Sequence, residues 1–586
     1  MAYLKKSHNK KTGRTYLNMA DGYWDKEKGH SRTVTLKKFG YLDELEKIYD
    51  DPLAHFKGVV DEYNAIKRNE ESEHIITIDL NEELEPNTSD RKNYGYIVIV
   101  KLFHELGLDR FLTNRRVRNT KIECNTSTVM KMLVVSRILK PGSKKAAYEG
   151  MGRYFDFEKK DIFSLDDVYR SLSHFATLDK DIQTQLHKRI SEKYGMNMDL
   201  IYYDVTNYYF EIDEEDKIRR KGVSKENRKS PIVQMGLAMD SEGIPISYDI
   251  FPGNESEKLR LRPMVFELRS KFNSGRIIAI ADAAQNTGNN VYYLDQGKQG
   301  YIFSQSIRGG SKELKDYVTD EAEYVWYGDE YKKKSRIVRR DIKVDFKDKN
   351  GREYKKTVQI DQRQIVFYSQ KYAVRAKAKR ETTLKKATAI INNPAAYTRE
   401  TSHGALRYIK NIISDSKTGE LIETHDNVYL DLDVLAEDEK YDGYYMIVSN
   451  VFDEGENKGY YDDFKIIDLY RGLWKIEETF KVSKSDIKSR PVFVSREDRI
   501  KAHFLTCFIS LVILRLIQKA TDYKHTVEVL VETMNNISCS LEEQNYYHFD
   551  YRDEVTDDLG TAFDIDFKKR RLTRKDIKAN IGKVKK

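Results

Sequence analysis

The sequence predicts an α/β protein in which a mixed sheet flanked by helices is interrupted by a large β-rich insertion and preceded by a β unit and a run of helices. Three observations carry this. Short unbroken apolar runs at Leu200-Ile-Tyr-Tyr-Asp204, Arg276-Ile-Ile-Ala-Ile-Ala-Asp282 and Gly443-Tyr-Tyr-Met-Ile-Val-Ser449 have the length and composition of buried strands. Helical patterns at 256–272 and from about 289 alternate with the first two, as a sheet covered by helices requires. Between 309 and 439 that alternation gives way to long, basic, strand-like stretches such as 336–346 and 356–361.

In chain order, residues 1–90 read as a small β unit followed by a helix, with alternating stretches at Arg14-Thr-Tyr-Leu-Asn18 and Arg32-Thr-Val-Thr-Leu36. Residues 91–195 read as helices near 94–106, 127–139, 164–176 and 178–194, broken by Pro141-Gly142 and the basic loop Arg115-Arg-Val-Arg118. A basic helical region ahead of a β-rich one suits DNA docking, although no helix-turn-helix spacing stands out. The core domain is expected in two parts, 196–308 and 441–525, with the insertion at 309–440 between them. Asp240-Ser-Glu-Gly243 between alternating runs marks a hairpin. Residues 526–586 form a C-terminal extension, and its Lys/Arg-rich end from Lys568 reads as a mobile basic tail.

Composition bounds the function. Hydrophobic residues at 39% leave enough for a real core under a surface with 33% charged residues. The net charge of +8 is concentrated: residues 1–38 hold ten Lys/Arg against three Asp/Glu, 91–150 thirteen against four, and 331–390 twenty against six. Such blocks point to a polyanion, nucleic acid before membrane. Three scattered cysteines, Cys124, Cys507 and Cys539, exclude a zinc ribbon and a disulfide framework and fit a reducing cytoplasmic setting. The apolar run 504–517 is too short to span a bilayer and reads as a core helix.

The chemistry centres on the stretch 466–484. Ile466, Leu469, Leu473, Ile476 and Phe480 form an apolar stripe at helical period. Tyr470, Trp474, Glu477, Lys481 and Lys484 follow one residue later, roughly 100° around, at the margin of the buried face. Glu477 there looks into a cleft, whereas Glu478 turns a further ~100° toward solvent. Asp204 and Asp282 each close a hydrophobic strand, and those strands are expected side by side. Three converging carboxylates repel one another, and divalent ions relieve the repulsion. All-oxygen ligation suits Mg²⁺ or Mn²⁺. Two such ions activate a water or 3′-hydroxyl on one side of a phosphate and stabilise the leaving oxygen on the other. Asp204 bridges them in this scheme, with Asp282 and Glu477 holding one each. Tyr470, Lys481 and Lys484 face the flanking phosphates, and Trp474 stacks on a base or sugar.

These motifs resemble a DDE transposase of a bacterial insertion-sequence element, in the group marked by a Tyr, Arg, Glu, Lys signature. The resemblance covers roughly 195–520: Tyr202-Tyr-Asp-Val-Thr-Asn207, Gly222-Val-Ser-Lys-Glu226, Phe251-Pro-Gly-Asn254, Ile280-Ala-Asp282, then Tyr470, Trp474, Ile476, Glu477 and Lys484, trailed by Arg490-Pro-Val and Ala502-His503. It implies an RNase H-like catalytic domain carrying a β-rich insertion. The implied activity is binding of terminal inverted repeats, strand cleavage and strand transfer, by at least a homodimer pairing two ends on nucleoid DNA. One position departs: Leu473 stands where the signature has Arg, and Arg471 lies about 160° round the helix from it. His503, a lone histidine beside an apolar run, reads as structural. The alternatives are a catalytically inert transposase-derived DNA-binding protein and a stand-alone nuclease of the same fold.

Overall fold

The computed structural model describes residues 2–10, 12–25, 30–70, 83, 86, 89–117, 122–157, 163–222, 230–272, 275–393, 404–414, 421–452, 460–542 and 545–585. The chain forms two compact units, one of residues 1–88 with 542–545, the other of 89–541 with 546–586.

In the first unit, strands Ala2–His8, Thr15–Asp25 and His30–Tyr41 pair antiparallel in sequence order. Alternation turns Ala2, Leu17 and Met19 to one face, where helix Pro52–Glu70 supplies Phe56 and Val60. The Phe39 and Phe56 rings stack at 4.2 Å, and the Asn64 amide both donates to and accepts from the Ala2 backbone at 2.9 Å. A sheet this small needs such a lid to hide its apolar face.

The second unit is built on a nine-stranded mixed sheet. From edge to edge it runs Val325–Tyr327, Tyr331–Lys347, Glu353–Ser369, Tyr444–Ser449, Gly300–Ser304, Ile278–Ala281, Leu200–Tyr209, Ile232–Met239, Pro245–Pro252. The Ile278 strand pairs parallel with both of its neighbours. It is buried at all four residues, as a strand covered on both faces must be. The expected hairpin closes at Asp240, whose carboxylate accepts the Glu242 and Ile244 amides at 3.0 and 2.8 Å, with Gly243 at φ +92°. Helices Leu261–Phe272 and Gly288–Gln296 cover one face of the sheet. The other face carries the larger core, built around helix Glu497–Ala520. That helix is long and apolar enough to cross a membrane, and 94% of its most apolar window is buried in the fold.

Three expectations need correction. Residues 91–195 do not stand apart as a DNA-docking module: every residue of helix Thr126–Leu139 except Thr128 is buried in the core shared with the sheet. Arg137 there donates to the carbonyls of Gly142 and Lys488 at 2.9 and 3.0 Å, so its charge serves packing and not a ligand. The insertion is not a separate β domain throughout. Strands Tyr331–Lys347 and Glu353–Ser369 extend the main sheet, with Ile365 opposite Ile447. Only its second half, helix Gln370–Asn392 with the hairpin Ile409–Ser414/Leu421–Leu430 and helix Leu432–Glu439, has its own small core. The basic C-terminus is an ordered helix, Arg574–Val584, begun by a Thr573/Asp576 capping box. It buries Ile577, Ile581 and Val584, and Lys585 pairs with Asp156 at 2.9 Å.

Candidate active site

Asp204 lies on the strand Leu200–Tyr209 and Asp282 directly follows Ile278–Ala281. These strands are adjacent and parallel, with Tyr202 opposite Ile280. Two residues further along each chain stand Asp204 and Asp282, level with one another at the same end of the sheet, where ligands bind in open α/β sheets. Both are half-buried. Each carboxylate also serves its own backbone, Asp204 accepting the Val205 amide at 2.7 Å and Asp282 that of Ala284 at 3.1 Å.

The stretch expected as one helix is two. Asp463–Arg471 ends at Gly472, and Trp474–Ser485 begins after Leu473. Through the break the bonds shorten to three residues: Leu473 N to Tyr470 O, Lys475 N to Gly472 O, Ile476 N to Leu473 O. Tyr202 packs beneath the break, against Gly472, and donates its hydroxyl to Leu469 O at 3.1 Å. Six residues along the same strand face, Tyr208 meets Ser483 at 2.8 Å. The Trp474 helix therefore runs alongside the Asp204 strand in the same direction. Asp204, ~6.6 Å beyond Tyr202 on that face, comes level with Ile476 and Glu477 at ~1.5 Å per helical residue.

The flanks of this helix face opposite ways. Tyr470 reaches the ends of the neighbouring strands, where it lines one pocket with Ser304 and Ala283. Burial foremost, then the negative charges of Asp282 and Glu477, push its phenol above the ordinary range, while the Ser304 hydroxyl nearby works against them. One phenol thus feels both carboxylates. On the other flank, Trp474, Lys475 and Glu478 border a pocket with Ser241, Glu242 and Gly243 of the hairpin turn. There Lys475 donates to Ser241 O at 2.6 Å, and Glu478 pairs with the buried Arg515 at 3.4 Å. Trp474, 57% exposed, is therefore separated from the Asp282 side of the helix by the helix itself. Glu477 and Lys481 are exposed, and Lys484, half-buried, has its ammonium 5.7 Å from the centre of the Tyr208 ring.

Leu473 is 9% exposed within the core, so that position offers no cation. The Arg471 guanidinium lies 6.0 Å from the ring centres of Tyr331 and Phe367, over the sheet extension. His503 is fully buried, with Nε2 2.8 Å from Ser489 O and Nδ1 2.6 Å from Lys144 Nζ. Burial first, then the Lys144 and Arg137 charges, hold it well below the usual histidine range, which suits a structural neutral imidazole. Ser304, which lines one pocket with Tyr470, escaped the sequence reading; its only signal is its place at the end of the strand after Asp282.

Among the described residues, no three His, Cys, Asp or Glu side chains are drawn into a metal-holding cluster. The donor chemistry of Asp204, Asp282 and Glu477, carboxylates only, nevertheless fits a hard divalent ion and not zinc.

The family model described as Transposase DDE domain matches residues 204–513, more than half of the 586 and beginning on Asp204. Among solved structures, the cryo-EM structure of the piggyBac transposase synaptic complex with hairpin DNA is similar over 85% of this chain and 88% of that one, at 8% identity and a TM-score of 0.36. No curated protein matches the sequence. The matched span takes in Asp204, Asp282 and Glu477 together with the sheet and helices that carry them, and the chain belongs to the DDE transposase-domain family.

Proposed function

We propose that this DNA transposase cuts and rejoins DNA with Asp204, Asp282 and Glu477 as its catalytic carboxylates, acting at the terminal inverted repeats of a bacterial insertion-sequence element. One observation carries the reading: Asp204 and Asp282 continue, in register, two neighbouring parallel strands, and Glu477 rather than Glu478 occupies the helix flank turned toward them. The three would hold two divalent ions, Mg²⁺ or Mn²⁺, with Asp204 shared. Bound there, the ions supply activation of the attacking oxygen and charge relief on the leaving one. The three carboxylates fix where that chemistry takes place on an RNase H-like sheet. Tyr470, beside Ser304 and under the charge of Asp282, orients a phosphate oxygen through its hydroxyl. Lys481 and Lys484, one and two turns beyond Glu477, neutralise the phosphates that follow. Trp474 lies on the far flank, so its place in the reading is contact with a second stretch of DNA and not with the scissile base.

A homodimer acting on nucleoid DNA in the bacterial cytoplasm completes the proposal, since two ends must be paired before joining. The test is cleavage of a labelled duplex carrying an element end, with Mg²⁺ or Mn²⁺. Asp204→Asn, Asp282→Asn and Glu477→Gln should each abolish cutting and leave DNA binding intact. Full activity in any of the three rejects the assignment.

A further inference from the structure

A groove of about 670 Å³ opens where the Asp204 strand ends and the Trp474 helix finishes. Its walls are Tyr209 and Phe210 from the strand, Lys484 from the helix, Arg490 and Phe493 from the following loop, and Tyr169 and Arg499 from two core helices. Two arginines lie flat against rings: Arg490 4.7 Å from the centre of Tyr209, and Arg499 4.9 Å from that of Tyr169. Arg219 stacks on Phe210 but is neutralised by Asp216 at 2.6 Å. Arg499 differs from Arg219 in having no ion-pair partner among the described residues, and its buried Nε, like those of Arg137 and Arg515, has no hydrogen-bond partner. A buried guanidinium nitrogen left without a partner is costly unless a ligand completes it. The Phe493 ring, 55% exposed, is the other unexplained feature, since an aromatic left in solvent buries little apolar area. Glu211 is the one carboxylate on the rim.

Cations beside open aromatic faces suit phosphates joined to unstacked bases, and the volume lies in the range of nucleotide-sized ligands. We propose that this groove binds unpaired nucleotides of the DNA strand being processed, with a phosphate on Arg499 and a base against Phe493. The proposal rests on the transposase reading above. Lys484 lies ~10 Å along the helix from Glu477, and Tyr209 ~16 Å along the strand from Asp204. At the ~3.4 Å spacing of stacked bases this places the groove about three to five nucleotides from the carboxylates.

The test uses the full chain in EDTA, so that cleavage plays no part. Binding of fluorescein-labelled oligo-dT of twelve nucleotides and of a duplex of the same length is followed by anisotropy. Phe493→Ala and Arg499→Ala should each weaken oligo-dT binding by about tenfold or more, the range of one stacked base, and duplex binding by less than twofold. Phe493→Ala changes an exposed ring and guards against loss of fold in the arginine variant, with thermal midpoints measured for both. Unchanged oligo-dT binding in Phe493→Ala, or equal weakening on duplex and single strand, overturns the groove. Oligo-dT binding by Glu477→Gln should match the unmodified chain. A failure of the groove and a failure of the carboxylate assignment therefore read out separately, the first in binding and the second in cleavage.

Discussion

Gly472→Ala is the sharpest probe of how the site is held. A Cβ built on Gly472 would stand 1.9 Å from the Tyr202 hydroxyl oxygen and 2.6 Å from the ring carbon that bears it. Ordinary van der Waals contact begins near 3.4 Å, so the side chain is short of room by about 1.5 Å. Tyr202 is 3% exposed and bonded to Leu469 O, so it has little freedom to retreat. The displacement falls on the helix break, and Glu477 one turn later moves with it. Overpacking of this kind costs about 1–3 kcal/mol of stability. A shift of ~1 Å at a reacting group lowers rate by ~10²-fold. The expected result is cleavage reduced about a hundredfold with DNA binding unchanged. Tyr202→Phe in the same chain removes the worst contact and halves the shortfall, so the double variant should recover part of the rate. Metal-dependent cleavage of a labelled duplex, beside anisotropy and a thermal midpoint, reads all three. Wild-type cleavage in Gly472→Ala, or a double variant no faster than the single one, would show that Tyr202 does not set the position of Glu477.

Other consequences follow from single contacts. Glu478→Gln should leave cleavage near wild type and cost about 1 kcal/mol, because Arg515 keeps Gln518 and Thr479 at 2.6 and 2.7 Å; a cleavage loss matching Glu477→Gln would exchange the roles of the two glutamates. Burial, with Arg137's charge second, pulls the Lys144 ammonium from 10.5 down to about 7. The unfolded chain then binds more protons than the folded one between those values, so this group makes stability rise with pH from about 7 toward 10.5. Thermal midpoints at pH 7, 8 and 9 should climb more steeply in the wild type than in Lys144→Met, and parallel slopes count against it. Truncation after Arg570 removes the burial of Ile577, Ile581 and Val584, on the order of 5 kcal/mol at ~1.5–3 per side chain. Soluble yield and thermal midpoint should drop sharply, and an unaffected truncation would mean the helix docks without stabilising.

Much of the site was legible because its signals are local. An unbroken apolar run ending on aspartate reads as a buried strand with a polar residue at its mouth, and that is where Asp204 and Asp282 stand. The offset of two stripes separated Glu477 from Glu478 without coordinates. That argument expected Glu478 toward solvent, yet Glu477 is the exposed one and Glu478 is half-buried against Arg515, a partner the stripes could not show. What stayed hidden depends on partners distant in sequence. In Tyr470-Arg-Gly-Leu-Trp474 only Gly472 hints at a break, and what it packs against is a tyrosine some 270 residues earlier. The pattern at 331–369 gives strands but not the edge they join, which is decided by the 444–449 strand.

Where the basic regions lie in the fold was hidden for a related physical reason. Lysine and arginine stems lie along apolar surface with their charges outward, so a cationic stretch can be a core element seen from its wet side. The C-terminal helix shows this: its lysines surround Ile577, Ile581 and Val584, spaced by four and three, and those three residues are buried. The helix Thr126–Leu139 shows it too, with Lys131 buried against Asp156 at 2.5 Å. Charge counts along the chain therefore locate a polyanion poorly, and the useful distinction is between cations already paired and those left open. By that criterion Arg137, Arg219, Lys131 and Arg515 are structural. Arg499, over the Tyr169 ring and without an ion-pair partner among the described residues, marks where the chain still has affinity to spend.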